Sequence, residues 1–190
     1  WNARAPKWDC DLPDWTPRKG YVEGVARAHE SEFKVQAYVN ICCANFRSPF
    51  WERDRLDKLF LTRKNSIFQY KDTAFDPKFN AEMFLGTVDF SSGPDQFKGM
   101  KEGQLLYGDL LSPAWRKYHA EMMKVWNKLT GTDSNYEDTA GTTGDHGNGI
   151  IDGLSAGEGD MAQMRLLLET QPKVPNAAEF APAANAFGVT

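Results

Sequence analysis

With 190 residues, 41% of them apolar and 25% charged, the chain is long enough for one domain with a real core and too apolar for a disordered polar chain. Its longest apolar runs, such as residues 41–44, fall far below the ~18–20 residues of a membrane-spanning helix. The net charge of −4 and the lack of a basic stripe disfavour nucleic acid as a partner.

That net charge hides an asymmetry. Residues 1–128 hold 20 Lys and Arg against 17 Asp and Glu. Residues 129–164 hold no Lys or Arg and seven acids: Asp133, Glu137, Asp138, Asp145, Asp152, Glu158 and Asp160. Such a segment calls for cations, a basic partner or water. The three Cys are Cys10, Cys42 and Cys43, without Cys-x-x-Cys or Cys/His metal spacing. A disulfide framework is therefore not expected, and Cys42 and Cys43 read as small apolar packers. There is no Asn-x-Ser/Thr sequon, and the chain starts at Trp1 rather than Met. These features favour a processed protein of an organelle interior over a secreted one.

In chain order, residues 1–20 carry Trp1, Trp8, Trp15, Pro6, Pro13 and Pro17. Proline blocks a regular helix and Trp needs apolar cover, so an extended arm is expected, packed on its own domain or on another subunit. Residues 21–46 show Val22, Val25, Ala26, His29, Phe33, Ala37, Ile41 and Ala44 at three- and four-residue steps, which predicts one long amphipathic helix. Ser48–Pro49 reads as cap and first-turn proline of a second helix to about Arg63, burying Phe50, Leu56, Leu59 and Phe60, with Asp54 and Lys58 spaced for a surface ion pair.

Residues 65–101 are irregular, with a short helix from Asp76–Pro77 to Met83 and alternation over residues 84–90 that suits a strand. Ser112–Pro113 opens a third helix to Leu129, with an apolar stripe of Trp115, Tyr118, His119, Met122, Val125, Trp126 and Leu129. Ser155 and Glu158 form a capping box for a fourth helix to about Thr170, burying Met161, Met164, Leu167 and Leu168. Beyond Gln171, Pro172, Pro175, Pro182 and many Ala indicate an extended tail.

The fold class expected is mainly α: about four helices with long irregular connections, a small β element, and extended N- and C-terminal arms. It divides into an arm over residues 1–20, a helical domain over residues 21–170 with an acidic, Gly-rich loop at residues 130–154, and a tail over residues 171–190.

That loop carries the one candidate ion site. "TTGDHGNGIIDGLSAGE" resembles an EF-hand or dockerin loop slipped by one residue: with Gly149 at position 6, Ile151 takes position 8, but Gly144, His146 and Ser155 occupy ligand positions 1, 3 and 12. Asp145, Asn148, Asp152, Glu158 and Asp133 remain as oxygen donors for an irregular Ca2+ site. The opposing expectation is a solvated turn region, since eight of the 16 Gly lie between Gly131 and Gly159.

His29 and His119 fall on apolar faces of predicted helices and read first as core histidines with a hydrogen-bond partner. The Glu-x-x-His spacing of a di-iron bundle is missing, as are a Gly-x-Ser-x-Gly elbow, a phosphate-binding loop and dinucleotide spacing. The function expected from these features is a non-catalytic structural or interaction subunit of a larger assembly, of an organellar energy-converting or photosynthetic kind. Its partners would be other protein subunits, with no membrane span and with peripheral contact to a membrane complex as an option. A calcium-dependent binding module using residues 133–158 and a small enzyme or cofactor carrier using His29 and His119 are the alternatives.

Overall fold

The computed structural model describes residues 13–44, 48–61, 106–138 and 147–178. The helix expected from Asp76, the strand at residues 84–90, Cys10, Asp145, His146 and most of both terminal segments lie outside these residues.

In chain order the described elements are helix α1 (Lys19–Glu30), strand β1 (Gln36–Asn40), strand β2 (Cys43–Ala44) and helix α2 (Pro49–Arg53). A 3-10 turn (Leu56–Lys58), strand β3 (Leu106–Tyr107), helix α3 (Pro113–Thr130), strand β4 (Ser134–Asp138), helix α4 (Ala156–Thr170) and strand β5 (Asn176–Ala178) follow. Strands β1, β4 and β5 form a parallel sheet in that spatial order, and β2 pairs with β3 antiparallel. Helix α3 precedes β4 and α4 links β4 to β5, so parallel neighbours are joined through helices, as parallel pairing requires.

The mainly α expectation is therefore corrected to α/β. The decisive segment is the long helix predicted over residues 21–46, which ends at Glu30. The chain turns where the Phe33 N–H donates to the Ala28 carbonyl and Glu32 takes a left-handed φ of 61°. Phe33, expected on the apolar stripe, is 68% exposed. Ile41, Cys42, Cys43 and Ala44 are then buried consecutively, each at 1% or less. A surface helix buries one stripe, whereas a segment between layers can bury every residue. Cys42 and Cys43 are both buried, as apolar packers would be.

The second helix is also shorter than expected. Ser48 caps it by accepting from the Phe50 N–H, but it stops at Arg53 because Arg55 adopts the left-handed region at φ 54°. Phe50, Leu56 and Phe60 are nonetheless buried. The expected Asp54–Lys58 pair does not form: Asp54 receives Arg53 at 2.6 Å, and Lys58 approaches Asp57 at 3.8 Å.

Helix α3 matches its expected span closely. The Ser112 hydroxyl accepts from the Trp115 N–H, Pro113 takes the first turn, and Gly131 ends the helix at φ 76°. Its buried face is rotated from the predicted stripe rather than centred on it: Arg116, Ala120, Met123 and Asn127 are buried beside Trp115, His119 and Trp126, while Val125 and Leu129 are 44% and 54% exposed. Helix α4 starts at the expected capping box, with the Ser155 N–H donating to Glu158 at 2.7 Å. Met164 and Leu167 are fully buried and Met161 is 37% exposed.

The core lies between the helices and one face of the sheet. It joins Val25 of α1, Ala37, Val39 and Ile41 around β1, Trp115, Met123 and Trp126 of α3, and Met164 and Leu167 of α4. The Trp115 indole N–H donates to the Ile41 carbonyl at 3.0 Å and so ties α3 to the end of β1. On β4 the positions in register with Ala37 and Val39 are Asn135 and Glu137, both completely buried. The helix-covered face thus carries a polar seam. Asn135 donates to Asn176 at 2.9 Å, His119 and Gln163 meet at 3.2 Å, and Asn127 donates to Gln171 at 3.0 Å. Each pairing offsets the cost of burying its amide or imidazole.

The described start of the N-terminal segment is seated on its own domain. Trp15 is 4% exposed, donates to the Tyr118 hydroxyl at 3.2 Å and stands edge-on to His119 at 5.6 Å between ring centroids. The Ser48 hydroxyl donates to the Pro13 carbonyl. Among the described residues no helix is long and apolar enough to cross a membrane.

Candidate functional site at the end of the parallel strands

Register places Gln36, Tyr38 and Asn40 of β1 beside Ser134, Tyr136 and Asp138 of β4, on the face opposite Ala37, Val39, Asn135 and Glu137. Ala177 of β5 lies beside Tyr136 on the same face and contributes only a methyl group. The helix-covered face is sealed, whereas on this one Tyr38 is 37% exposed and Tyr136 and Asp138 are partly exposed.

At the C-terminal end of this face two donors converge on one carboxylate oxygen. The Tyr38 hydroxyl donates to Asp138 Oδ2 at 2.6 Å, and the Asn40 side-chain amide donates to the same oxygen at 3.0 Å. A short O–H···O contact of this kind is typical of an ionised acceptor. The Tyr38 and Tyr136 rings stack at 6.1 Å with planes 19° apart, giving a flat aromatic surface next to the carboxylate. The arrangement can hold an anion in fixed orientation beside an apolar plate, a combination that suits a ligand with both hydroxyls and a hydrocarbon face.

The residues singled out by sequence are distributed differently. Asp133 sits at the other end of the sheet, just before β4. It accepts from the Val35 N–H at 2.9 Å and from Lys34 at 3.0 Å, and it meets His29 Nε2 at 2.7 Å. Burial pushes its carboxyl up, but the Val35 N–H, His29 and Lys34 together outweigh burial and hold it down at about 2. His29 is thus a surface residue hydrogen-bonded to Asp133, not a core histidine, whereas His119 is buried with Gln163 as its partner.

Asn148 donates to Asp109 Oδ2 at 2.8 Å, and Asp109 Oδ1 accepts from the Leu111 N–H. Asn148 therefore pins the loop before α4 to the segment before α3. Asp152 is exposed at φ 54°. Glu158 serves the capping box, and its bonds with the Ser155 hydroxyl and N–H lower its carboxyl. Among the described residues no three His, Cys, Asp or Glu side chains form a group able to hold a metal ion.

Neither spacing nor any motif in the sequence brings Tyr38, Asn40, Tyr136 and Asp138 together. The available signal was Gly131 ending a well-capped helix, followed by "SNYED" and then Gly141, the order of a helix, a short strand and a turn.

No protein-family model matches the chain, and no curated protein matches it. Solved structures do. An α-galactosidase from Thermus thermophilus in complex with stachyose superposes with a TM-score of 0.53 at 14% identity, over 92% of this chain and 32% of that one. A maltogenic amylase from S. marinus gives 0.53 at 14% identity, over 94% of this chain and 27% of that one. The chain thus spans about a third or less of the length of the structures it matches. These neighbours are TIM-barrel glycosidases, and at such identity the likeness concerns the fold alone.

Proposed function

We propose that this chain is part of a (β/α) barrel that cleaves a glycosidic bond of an uncharged sugar, with Asp138 as one catalytic carboxylate. The observation that carries the reading is the position of Asp138: the C-terminal end of the middle parallel strand, on the face the helices leave open, held by Tyr38 and Asn40. In barrels of this class the reacting groups stand at the C-terminal ends of the strands. Support also comes from the Tyr38–Tyr136 plate, against which a pyranose ring can lay its C–H face. The lack of any Lys or Arg over residues 129–164 leaves this stretch without a partner for an anionic sugar.

Glycosidic cleavage takes two carboxyl groups, one to donate a proton to the leaving oxygen and one to stabilise or attack the oxocarbenium-like centre. Asp138, facing two donors, suits the second role, since it must be ionised. Glu179 follows β5 directly in the sequence, lies outside the described residues, and is the first position to test for the other role.

The test is hydrolysis of a panel of 4-nitrophenyl glycosides by the full chain and by Asp138→Asn. The expected result is turnover of at least one neutral glycoside and a loss of about 10²–10⁴-fold in the variant. Absence of turnover across the panel, or an Asp138→Asn variant as fast as the parent, overturns the reading.

A second reading, the interaction subunit of a larger assembly, draws on Val125 and Leu129, exposed one turn apart on α3. Light scattering of the purified chain, alone and in extracts of its source, tests it; a monodisperse monomer in both counts against it.

A further inference from the structure

Resting on the glycosidase reading of Asp138, one more residue acquires a role. Asn40 is the last residue of β1 and is 3% exposed. Its side-chain Oδ1 accepts from two consecutive backbone N–H groups, Cys42 at 2.9 Å and Cys43 at 3.0 Å. These two donors decide which way the amide points, because only the carbonyl oxygen can accept them. The Nδ2 group is thereby aimed outward, and it donates to Asp138 Oδ2 at 3.0 Å.

The turn that closes β1 thus sets the orientation of a donor on the neighbouring strand's carboxylate. The turn is itself held from behind, since Cys42 and Cys43 are buried and the Ile41 carbonyl receives the Trp115 indole. Tyr38 reaches the same oxygen from the same strand through a long, partly exposed side chain. Glu137, next to Asp138 in the chain, turns to the helix-covered face.

We infer that Asn40 is the positioning residue of the site: it fixes Asp138 by Oδ2 and favours its ionised form, without itself touching the substrate. A donor locked by backbone N–H groups cannot rotate away when the sugar binds, so its contribution is pre-organised.

Asn40→Asp separates this role from a merely structural one. An aspartate keeps an acceptor for the Cys42 and Cys43 N–H groups, so the turn is retained. It removes the donor and sets a second carboxylate against Asp138, and like charges favour the neutral form. The expected result is an acid limb of the kcat/KM profile moved to higher pH by about one unit. The KM for the neutral glycoside should stay within about twofold, because Asn40 binds no substrate. Asn40→Ser, whose hydroxyl can accept from a following N–H but is too short to reach Asp138, shifts the limb in the same direction and serves if the first variant fails to fold.

A carboxyl NMR titration of Asp138 in the full chain reads the same effect without turnover. Unmoved acid limb and titration in a folded variant overturn the inference, even if the parent cleaves glycosides. A titration that moves in a parent that cleaves no glycoside keeps the positioning role and removes the glycosidase reading instead.

Discussion

His29 in the last turn of α1 and Asp133 just after α3 meet at 2.7 Å, although 104 residues separate them in the chain. With Lys34 and the Val35 N–H they clasp the entrance of β1 to the entrance of β4, at the end of the sheet opposite Asp138. Two adjacent parallel strands are thus pinned together by one carboxylate.

The Asp133 carboxyl is held at about 2, below the ordinary 3.8. A depressed pKa in the folded state stabilises the fold above the unfolded value, and this stability is lost as pH falls through the folded one. The window is therefore roughly pH 4 to pH 2. His29 and Lys34 are 38% and 81% exposed, so solvent screening reduces the gain to about 1 kcal/mol. Asp133→Asn should lose that amount at pH 7, with the difference from the parent vanishing near pH 2. Urea unfolding at several pH values measures it; a constant difference down to pH 2 would show the clasp is not electrostatic.

Gly159 and Gly24 make a paired test of helix glycines. A Cβ on Gly159 would stand 2.8 Å from the Leu110 carbonyl carbon and 2.9 Å from the Leu111 nitrogen, both backbone atoms. The clash, about 1–3 kcal/mol, exceeds the ~1 kcal/mol that alanine gains in a helix. Gly159→Ala should therefore destabilise. Gly24 has nothing within 4 Å of its Cβ position, so Gly24→Ala should stabilise by up to ~1 kcal/mol. Opposite shifts in thermal midpoint are expected, and equal shifts would refute the close approach of α4 to Leu110.

Trp15 anchors the described part of the N-terminal segment. Trp15→Ala removes its buried indole and its bond to Tyr118, at a cost of about 3–5 kcal/mol. Trp15→Phe keeps most of the apolar volume and should cost only about 1 kcal/mol for the lost hydrogen bond. Unfolding curves that show the two variants equally destabilised would assign the effect to the hydrogen bond rather than to packing.

The Tyr38–Tyr136 plate makes its own prediction under the glycosidase reading. Tyr136→Ala removes a stacked ring but no donor to Asp138, so affinity for a neutral glycoside should fall about three- to tenfold, with the acid limb unmoved. Tyr38→Phe keeps the plate and removes the donor, so it should move the acid limb and leave affinity close to that of the parent. Isothermal titration together with a pH–rate profile separates the two effects, and a reversed pattern would contradict the assigned roles.

The helices were legible where their ends carry chemistry. Ser112–Pro113 and Gly131 bound α3, and Ser155 with Glu158 opens α4, because caps are local and leave local signatures. The sheet was not legible. Ala37, Ile41 and Ala44 fall at helical spacing by coincidence, and only the layer of helices packed over β1 selects the strand. Strand β4 buries Asn135 and Glu137, so its inward face is polar and no hydropathy pattern marks it. Asp138 was counted among the acids, but its two donors come from β1, about a hundred residues earlier, and only strand pairing joins them.

The turn after Asn40 places two sulfhydryls at 0% and 1% exposure directly behind the donor that holds Asp138. An alkylating reagent can reach them only when that turn opens. The rate at which they are labelled in the native protein is therefore a clock for the opening of the site's own support.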